Sequence, residues 1–168
     1  AKTIGQKVRR IRAIVAALGG NATALRAAEL CKADLASGAV GEFPELQGVM
    51  GKHYAAIAGE DAKVAQAIEQ HWWPKGQGAP LPESPDAALV AVADRVDTLV
   101  GCFATGLIPS GNADPLGLRR AAIGVLAILL AQQTHTIDQV IDASVTAYRG
   151  SVTLSKDARA QLDEFFPA

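Results

Sequence analysis

Apolar residues recur at spacings of three and four along most of the chain, the pattern of helices that bury one face. The first such stretch covers residues 3–18, and its apolar face consists of Ile4, Val8, Ile11, Val15 and Leu18. The same spacing returns seven more times, and the pattern predicts helices over residues 3–18, 22–37, 44–58, 61–71, 85–105, 115–132, 137–148 and 156–166.

The residues at the ends of these stretches are typical of helix boundaries. Asn21, Thr136 and Ser155 stand where a side-chain oxygen can accept from the first free amides of a helix. Asp114 followed by Pro115 predicts a capped helix with proline in its first turn. That helix, 115–132, is apolar on most faces in its second half, so we expect it to be central.

Nothing in the sequence indicates a sheet. We find no strand pair, internal repeat or low-complexity tract, and four of the eight prolines lie within 74–85, which predicts a loop. We therefore predict a single compact all-α domain over residues 1–168, with seven or eight helices and a loop near 74–85.

Composition narrows the class of protein. Hydrophobic residues make up 49% of the 168 positions, enough for a core, and aromatic residues only 5%, which argues against a β-sandwich or barrel. The net charge of -1 excludes a globally basic nucleic-acid binder but leaves room for a local basic patch.

The sequence also predicts a cellular compartment. The longest apolar run, 121–131, is shorter than the ~20 residues that span a bilayer, and no signal-peptide pattern is present. Cys31 and Cys102 both lie in apolar helical patterns, typical of free thiols in a reducing compartment. We expect a soluble cytoplasmic protein without membrane contact.

Positive charge is concentrated at the start of the chain. The first 28 residues contain no acid, and their basic residues are Lys2, Lys7, Arg9, Arg10, Arg12 and Arg26. Such a surface could meet a phosphate backbone. The alternative is the solvated outer face of an amphipathic helix.

Arg119 and Arg120 form a second basic candidate. They follow a glycine-containing loop and lie near the start of a predicted helix, where amides and arginines together favour anions. The alternative is structural, with one arginine paired to Asp114 or Asp97 and the other solvated.

Other residues with possible chemistry leave both interpretations open. Asp94 and Asp97, three apart on one helix face, could hold a metal or act as acid and base, or could be structural. The three histidines show no ligand spacing, so we interpret them as structural or surface residues. Trp72 and Trp73 could stack a base or pack over a helix end.

Four ordered motifs resemble one family. Residues 41–55, GEFPELQGVMGKHYA, resemble the E-F-x-x-x-Q-G-x-M-G-x-x-Y-A signature of the β subunit of bacterial heterotetrameric glycyl-tRNA synthetase. Residues 31–35 resemble its K-x-D-L segment, and residues 93–101 are similar to A-D-K-x-D-T-L-x-G. Residues 106–122 resemble G-x-x-P-x-G-x-x-D-P-x-x-L-R-R-A-A. The motifs span roughly residues 31–124, while residues 133–168 fit the family only as helices.

The resemblance implies a fragment of a longer subunit, in keeping with a first residue other than Met. The matched region is the family's internal helical domain, which resembles the HD phosphohydrolase fold. In that family the α subunit carries the aminoacylation site and uses ATP and Mg²⁺, whereas the β subunit binds tRNA.

The resemblance therefore implies a non-catalytic domain that binds tRNA or acts as a scaffold, supporting glycine attachment to tRNA(Gly) during translation. Its expected partners are tRNA(Gly), the rest of the β subunit and the α subunit, and we expect no catalytic residue, metal or cofactor in it. Five arginines are the candidate tRNA contacts, the last three with less support: Arg119, Arg120, Arg9, Arg10 and Arg12.

The comparison with HD enzymes assigns a degenerate metal site. Those enzymes bind a metal through a His, a His-Asp pair and a later Asp. The alignment sets Cys31 at the paired His, Lys32 at the adjoining Asp, and Asp94 at the later Asp. A lysine cation would repel a metal, so we expect Lys32 to pair with Asp94 or Asp34 as a structural charge.

Two alternatives from other classes remain open. One is an HD-type metal-dependent phosphohydrolase, and the other is a purely structural helical module that docks on other parts of the subunit or on the α subunit.

Overall fold

The computed structural model describes residues 3–167. The regular secondary structure within that range consists of helices, with no β-strand. Lys2, one of the basic residues noted above, lies outside the described residues. The α-helices in the described range are α1 Ile4–Ala17, α2 Ala22–Leu30, α3 Gly38–Glu42, α4 Val49–Ile57, α5 Ala62–Gln70, α6 Pro85–Ala104, α7 Leu118–Gln132, α8 Ile137–Ala147 and α9 Lys156–Phe165. Two short 3₁₀ helices occupy Ala33–Ala36 and Pro44–Leu46. The predicted all-α class is confirmed, with more helices than predicted.

Short polar side chains begin several of these helices. Asn21 accepts from the amide of Ala24, and Ser155 accepts from that of Ala158. Thr136 forms a reciprocal capping box with Gln139, each side chain accepting from the backbone amide of the other residue. The three predicted N-caps are thus confirmed.

The centre of the bundle is α6, which packs against α1, α2, α5, α7, α8 and α9. Twelve of its twenty residues are buried. The prediction of a central 115–132 helix is wrong: α7 packs on α6 with one face, while Ile123 and Leu130 on its other face are 46% and 64% exposed. The apolar pattern of a helix does not show whether both of its apolar faces are covered by neighbouring helices.

The second predicted helix ends earlier than expected. α2 stops at Leu30, and the chain then turns through a 3₁₀ helix over Ala33–Ala36 instead of continuing to residue 37. This turn places Lys32 and Asp34 inside the bundle, where they are 5% and 0% exposed. The predicted helix over 44–58 is likewise divided, because a 3₁₀ turn precedes α4.

The helix predicted from Pro115 begins three residues later, at Leu118. The carboxylate of Asp114 accepts from the amides of Leu118 and Arg119, at 2.9 Å each. Asp114 therefore satisfies the free amides of α7 across a turn that ends at Gly117, whose φ is 66°.

The remaining predictions about the chain concern loops and thiols. Residues 71–84 connect α5 to α6 without a helix, as the prolines indicated. Cys31 and Cys102 are free thiols, Cys31 buried and Cys102 partly buried. None of the helices within residues 3–167 is both long and apolar enough to cross a membrane.

Candidate functional site

The ammonium of Lys32 is enclosed by three partners. Its Nζ lies 2.8 Å from Oδ2 of Asp94 and 3.1 Å from Nε2 of His71. It also lies 3.8 Å from the centre of the Trp72 ring. Lysine has three N–H donors, and here a carboxylate, an imidazole and an aromatic face meet them.

His71 is fully buried and acts as an acceptor. Its Nδ1 contacts the carbonyl oxygen of Ile68, which can only accept, so Nδ1 carries the proton and Nε2 accepts from Lys32. Burial, followed by the charge of Lys32, lowers the pKa of His71 to about 3. The imidazole is therefore neutral near pH 7.

Asp94 lies between two ammonium groups. Its Oδ1 is 3.4 Å from Nζ of Lys7, and its Oδ2 contacts Lys32. Burial alone would raise the pKa of Asp94, but the charges of Lys32 and Lys7 outweigh that effect and bring it below the usual range. The carboxylate is ionised and held by cations on both sides.

Asp97 continues the charged cluster one turn along α6. It contacts Nζ of Lys7 at 2.7 Å and Nε of Arg10 at 2.6 Å. The Arg10 guanidinium lies 4.4 Å from the centre of the Tyr148 ring, and the Tyr148 hydroxyl donates to the backbone carbonyl of Asp97. Both carboxylates of the Asp94–Asp97 pair are thus bound to cations.

Cys31, Lys32 and Asp94, which the comparison with HD enzymes sets at a metal site, do not fit a divalent metal. Burial raises the pKa of the Cys31 thiol to about 12, and its Sγ donates to the carbonyl of Ala28. The thiol is neutral, whereas a metal ligand would be a thiolate. A metal at Asp94 would lie next to the Lys32 ammonium and meet direct repulsion.

Asp34, the other carboxylate expected to pair with Lys32, instead accepts hydrogen bonds from backbone amides. Its Oδ2 accepts from the amides of Gly48 and Gly51, at 2.7 and 3.0 Å, and so satisfies the free amides that begin α4. The partner of Lys32 is Asp94.

Two of the three glycines within residues 41–55, Gly48 and Gly51, are required by the same close approach. Gly48 has a φ of 83°, and a Cβ there would lie 2.5 Å from Trp72. A Cβ on Gly51 would lie 2.8 Å from Ile68 and 3.2 Å from Asp34. Only glycine lets the start of α4 approach Asp34 and Trp72 this closely.

A groove opens beside the buried cluster. It has a volume of about 660 Å³ and is lined by Trp72, two acids, Glu45 and Asp94, and three basic residues, Lys75, Arg95 and Arg120. Arg95 is held in place, because its guanidinium donates to the carbonyls of Ala91 on α6 and of His71, Trp72 and Pro74 in the segment after α5.

The Arg119–Arg120 pair is divided between two roles. The Arg119 guanidinium donates to the carbonyl of Gly111 at 2.8 Å and so holds the preceding loop. Arg120 is exposed and faces the groove beside Asp94. Among the described residues, neither guanidinium lies within 4.0 Å of the carboxylate of Asp114 or Asp97, and it is the backbone amide of Arg119 that donates to Asp114.

The candidate arginines of α1 also differ from one another. Arg10 is committed to the buried Asp97, and Arg12 pairs with Glu29 at 2.8 Å. Arg9 is exposed and lines a separate groove. Of these three arginines, Arg10 and Arg12 are therefore paired with acids, and Arg9 remains available to a ligand.

Two residues of the buried cluster were not foreseen from the sequence. From the sequence, Lys7 is named only among the basic residues at the start of the chain, and His71 is interpreted as structural or surface without a partner. A signal existed for Lys7, because it lies one turn from Ile11 on the apolar face of α1, where a cation needs a buried acid. His71 has no such signal, because its partner is 39 residues away.

Comparison with known proteins identifies the family. The model of the glycyl-tRNA synthetase beta subunit family matches residues 2–168. The chain is 53% identical over 148 residues to the glycine–tRNA ligase beta subunit of Neisseria gonorrhoeae, covering 85% of this chain and 21% of that protein. It is 47% identical over 147 residues to that of Geotalea daltonii, covering 86% and 21%.

A third relative extends the match to nearly the whole chain. The beta subunit of Trichlorobacter lovleyi is 44% identical over 169 aligned residues, covering 96% of this chain and 25% of that protein. The chain thus spans about a fifth to a quarter of the length of these curated relatives. Since the family model and these relatives cover most of its residues, the chain belongs to the glycyl-tRNA synthetase beta subunit family.

Proposed function

We propose that this chain is a non-catalytic domain of a glycyl-tRNA synthetase β subunit that binds tRNA(Gly) and supports the attachment of glycine by the α subunit. The observation that carries the non-catalytic part is the Lys32 ammonium, 2.8 Å from Asp94. Membership of the family supports the assignment to tRNA.

The fold is proposed to be HD-like, with a salt bridge where HD phosphohydrolases have a metal. In this interpretation Cys31, Lys32 and Asp94 are the remnants of the ligand set, and Lys32 supplies as a fixed side chain the positive charge that a metal would bring. The domain needs no cofactor of its own, and ATP and Mg²⁺ belong to the α subunit.

Arg120 is the best-placed arginine of the predicted set for a phosphate contact. It is exposed and lines the groove together with Trp72, Lys75 and Arg95. Arginine binds phosphate through two parallel N–H groups, and clustered cations raise the local concentration of an anionic partner. Arg119 supports this surface by holding the loop before α7.

The test is a titration of tRNA(Gly) with the chain at two salt concentrations. Arg120→Ala is expected to weaken binding and to lower the salt dependence by about one unit of slope. Arg119→Ala/Arg120→Ala should weaken it further. Arg26→Ala is the matched control, because Arg26 is already paired with Glu29 and Glu60. Equal tRNA binding by the Arg120 variant and the unaltered chain, both folded, would contradict the role of Arg120.

A metal-dependent phosphatase assay separates this proposal from the phosphohydrolase alternative. We expect no hydrolysis that depends on added divalent metal, and no stoichiometric metal binding by calorimetry. Tight binding of one metal ion per chain would show that the Lys32–Asp94 pair opens, and would overturn the non-catalytic assignment.

A scaffolding contribution is supported by the exposed apolar face of α7. Ile123 and Leu130 are seven residues apart, so they lie on one side of the helix, and both are largely exposed. Exposed apolar side chains in one stripe are typical of a contact surface. We propose that this face docks on the rest of the β subunit or on the α subunit.

A further inference from the structure

A second groove, between α1 and the turn after α8, is lined by arginines. Its volume is about 520 Å³, and the side chains along it include Gln6, Arg9, Arg10, Arg12, Arg149 and Ser151, with no acid among its lining residues. The chain as a whole is nearly neutral, so this concentration of one sign of charge is local.

The four arginines of the groove are not equivalent. Arg10 and Arg12 are neutralised by Asp97 and Glu29, at 2.6 and 2.8 Å. Within residues 3–167, neither Arg9 nor Arg149 has a carboxylate within 4.0 Å, and both are exposed. Two arginines without a carboxylate partner therefore line the groove, one from α1 and one from the turn after α8.

Arg149 occupies a backbone position that favours glycine. Its φ is 52°, and it stands just past the end of α8, where helices commonly end in a glycine with left-handed φ. Gly150 follows with a φ of 77°, and the Ser151 hydroxyl closes the turn by donating to the carbonyl of Tyr148. Among the described residues other than glycine, Gln133 and Arg149 have a left-handed φ, so the arginine occupies a backbone position that glycine would adopt without strain.

The floor of the groove is rigid. Arg10 is fixed by Asp97 and packs on the Tyr148 ring, and Tyr148 is itself tied to the backbone of α6. These contacts hold Arg10, next to Arg9, against Tyr148, next to Arg149, and such preorganisation lowers the entropy lost when a ligand binds.

We propose that this groove binds the phosphate backbone of RNA, with Arg9 and Arg149 each contacting a phosphate. We infer the backbone as the ligand because the unpaired charged groups of the lining are guanidinium groups, which bind phosphate oxygens through parallel N–H donors. The inference rests on the proposed function, and it adds Arg149 to the residues that meet the tRNA.

The experiment measures binding of tRNA(Gly), and of an RNA duplex of unrelated sequence, to the full chain over a range of salt. Arg9→Gln/Arg149→Gln is expected to weaken both by about tenfold per arginine and to lower the slope of log K against log salt by about two. Lys63→Gln/Lys156→Gln is the control with the same change in net charge at exposed lysines outside the groove, and should leave the slope nearly unchanged.

Arg149→Gly separates binding from folding. It removes the guanidinium but relieves the left-handed strain, so the chain should be at least as stable while affinity for both RNAs falls about tenfold. Loss of binding through a folding defect would instead appear as a lower melting temperature.

Each remaining outcome decides between the two proposals. If the chain binds tRNA and the groove variants leave affinity and slope unchanged, or match the lysine control, the groove assignment is overturned and the proposed function stands. If the unaltered chain binds neither RNA at low salt, both are overturned.

Discussion

Lys32 directs its three donors at Asp94, His71 and Trp72 from a position that is 5% exposed. A buried ion pair adds little stability compared with an apolar pair, but removing one partner leaves an uncompensated charge in the core. The pair therefore adds little net stability, but breaking it by removing one partner is expected to destabilise the chain strongly.

Lys32→Met is expected to lower the free energy of unfolding by about 3–5 kcal/mol, because Asp94 would remain buried with only Lys7 at 3.4 Å. Urea denaturation at pH 7 measures the change. The control is Arg12→Met, which breaks the exposed pair with Glu29 and should cost about 0–1 kcal/mol. Similar losses in the two variants would show that Lys32 is not a buried charge partner.

His71 makes stability depend on pH in a defined direction. Its pKa is about 3 in the folded chain and about 6.5 when unfolded, so between these values the unfolded chain binds the extra proton. The contribution is fully present above pH 6.5 and is lost as the pH falls towards 3. The slope in this interval approaches about 1.4 kcal/mol per pH unit.

His71→Gln, whose amide oxygen can still accept from Lys32, should remove most of that slope between pH 6.5 and 5. The measurement is the free energy of unfolding in urea at several pH values. His53→Gln, at an exposed site, should keep the slope of the unaltered chain. A slope that persists in the His71 variant would assign the pH dependence to other groups.

At the scale of elements, two glycines with similar φ make different demands on space. Gly48 and Gly59 have φ values of 83° and 84°, but only at Gly48 would a Cβ meet another side chain, 2.5 Å from Trp72. Gly59→Ala should cost about 1–2 kcal/mol for its backbone conformation. Gly48→Ala should cost about 1–3 kcal/mol more for overpacking. Equal melting temperatures of the two variants would contradict the close approach of α4 to Trp72.

The sequence predicts elements well where the signal is local. Asn21, Thr136 and Ser155 were recognised as caps because each acts on amides three residues away. Prediction fails where an element depends on a contact that is distant in the sequence. α2 ends at Leu30, and the turn that follows directs Asp34 towards the amide of Gly48, 14 residues later. The spacing of apolar residues does not indicate that hydrogen bond.

The candidate site shows the same division. The comparison with HD enzymes selected Lys32 and Asp94, but the partner of Arg10 and the burial of Lys7 depend on how α1 packs on α6. Periodicity predicted a basic face on α1, and packing decided which of its cations turned inward. Arg149 was overlooked because its nearest basic neighbours in the groove are more than 100 residues earlier in the chain.

At the scale of the whole molecule, α7 has an apolar face that the described residues leave largely uncovered. Ile123→Glu/Leu130→Glu should change the stability of the chain by no more than about 0.5 kcal/mol per site, because both residues are exposed. If this face docks on the rest of a synthetase, the same change in the full-length subunit should speed cleavage around α7 in limited proteolysis. Identical cleavage of the variant and of the unaltered full-length subunit would count against docking by α7.

The cluster of Lys32, Asp94, Lys7, Asp97 and Arg10 links α1, α6 and the turn after α2 through ion pairs. Each carboxylate in it contacts two cations, so replacing either acid deprives two cations of a partner. A lineage that exchanges Lys32 for an apolar residue must therefore also change Asp94, or pass through a less stable ancestor. We therefore expect these two positions, 62 residues apart, to change together rather than one at a time.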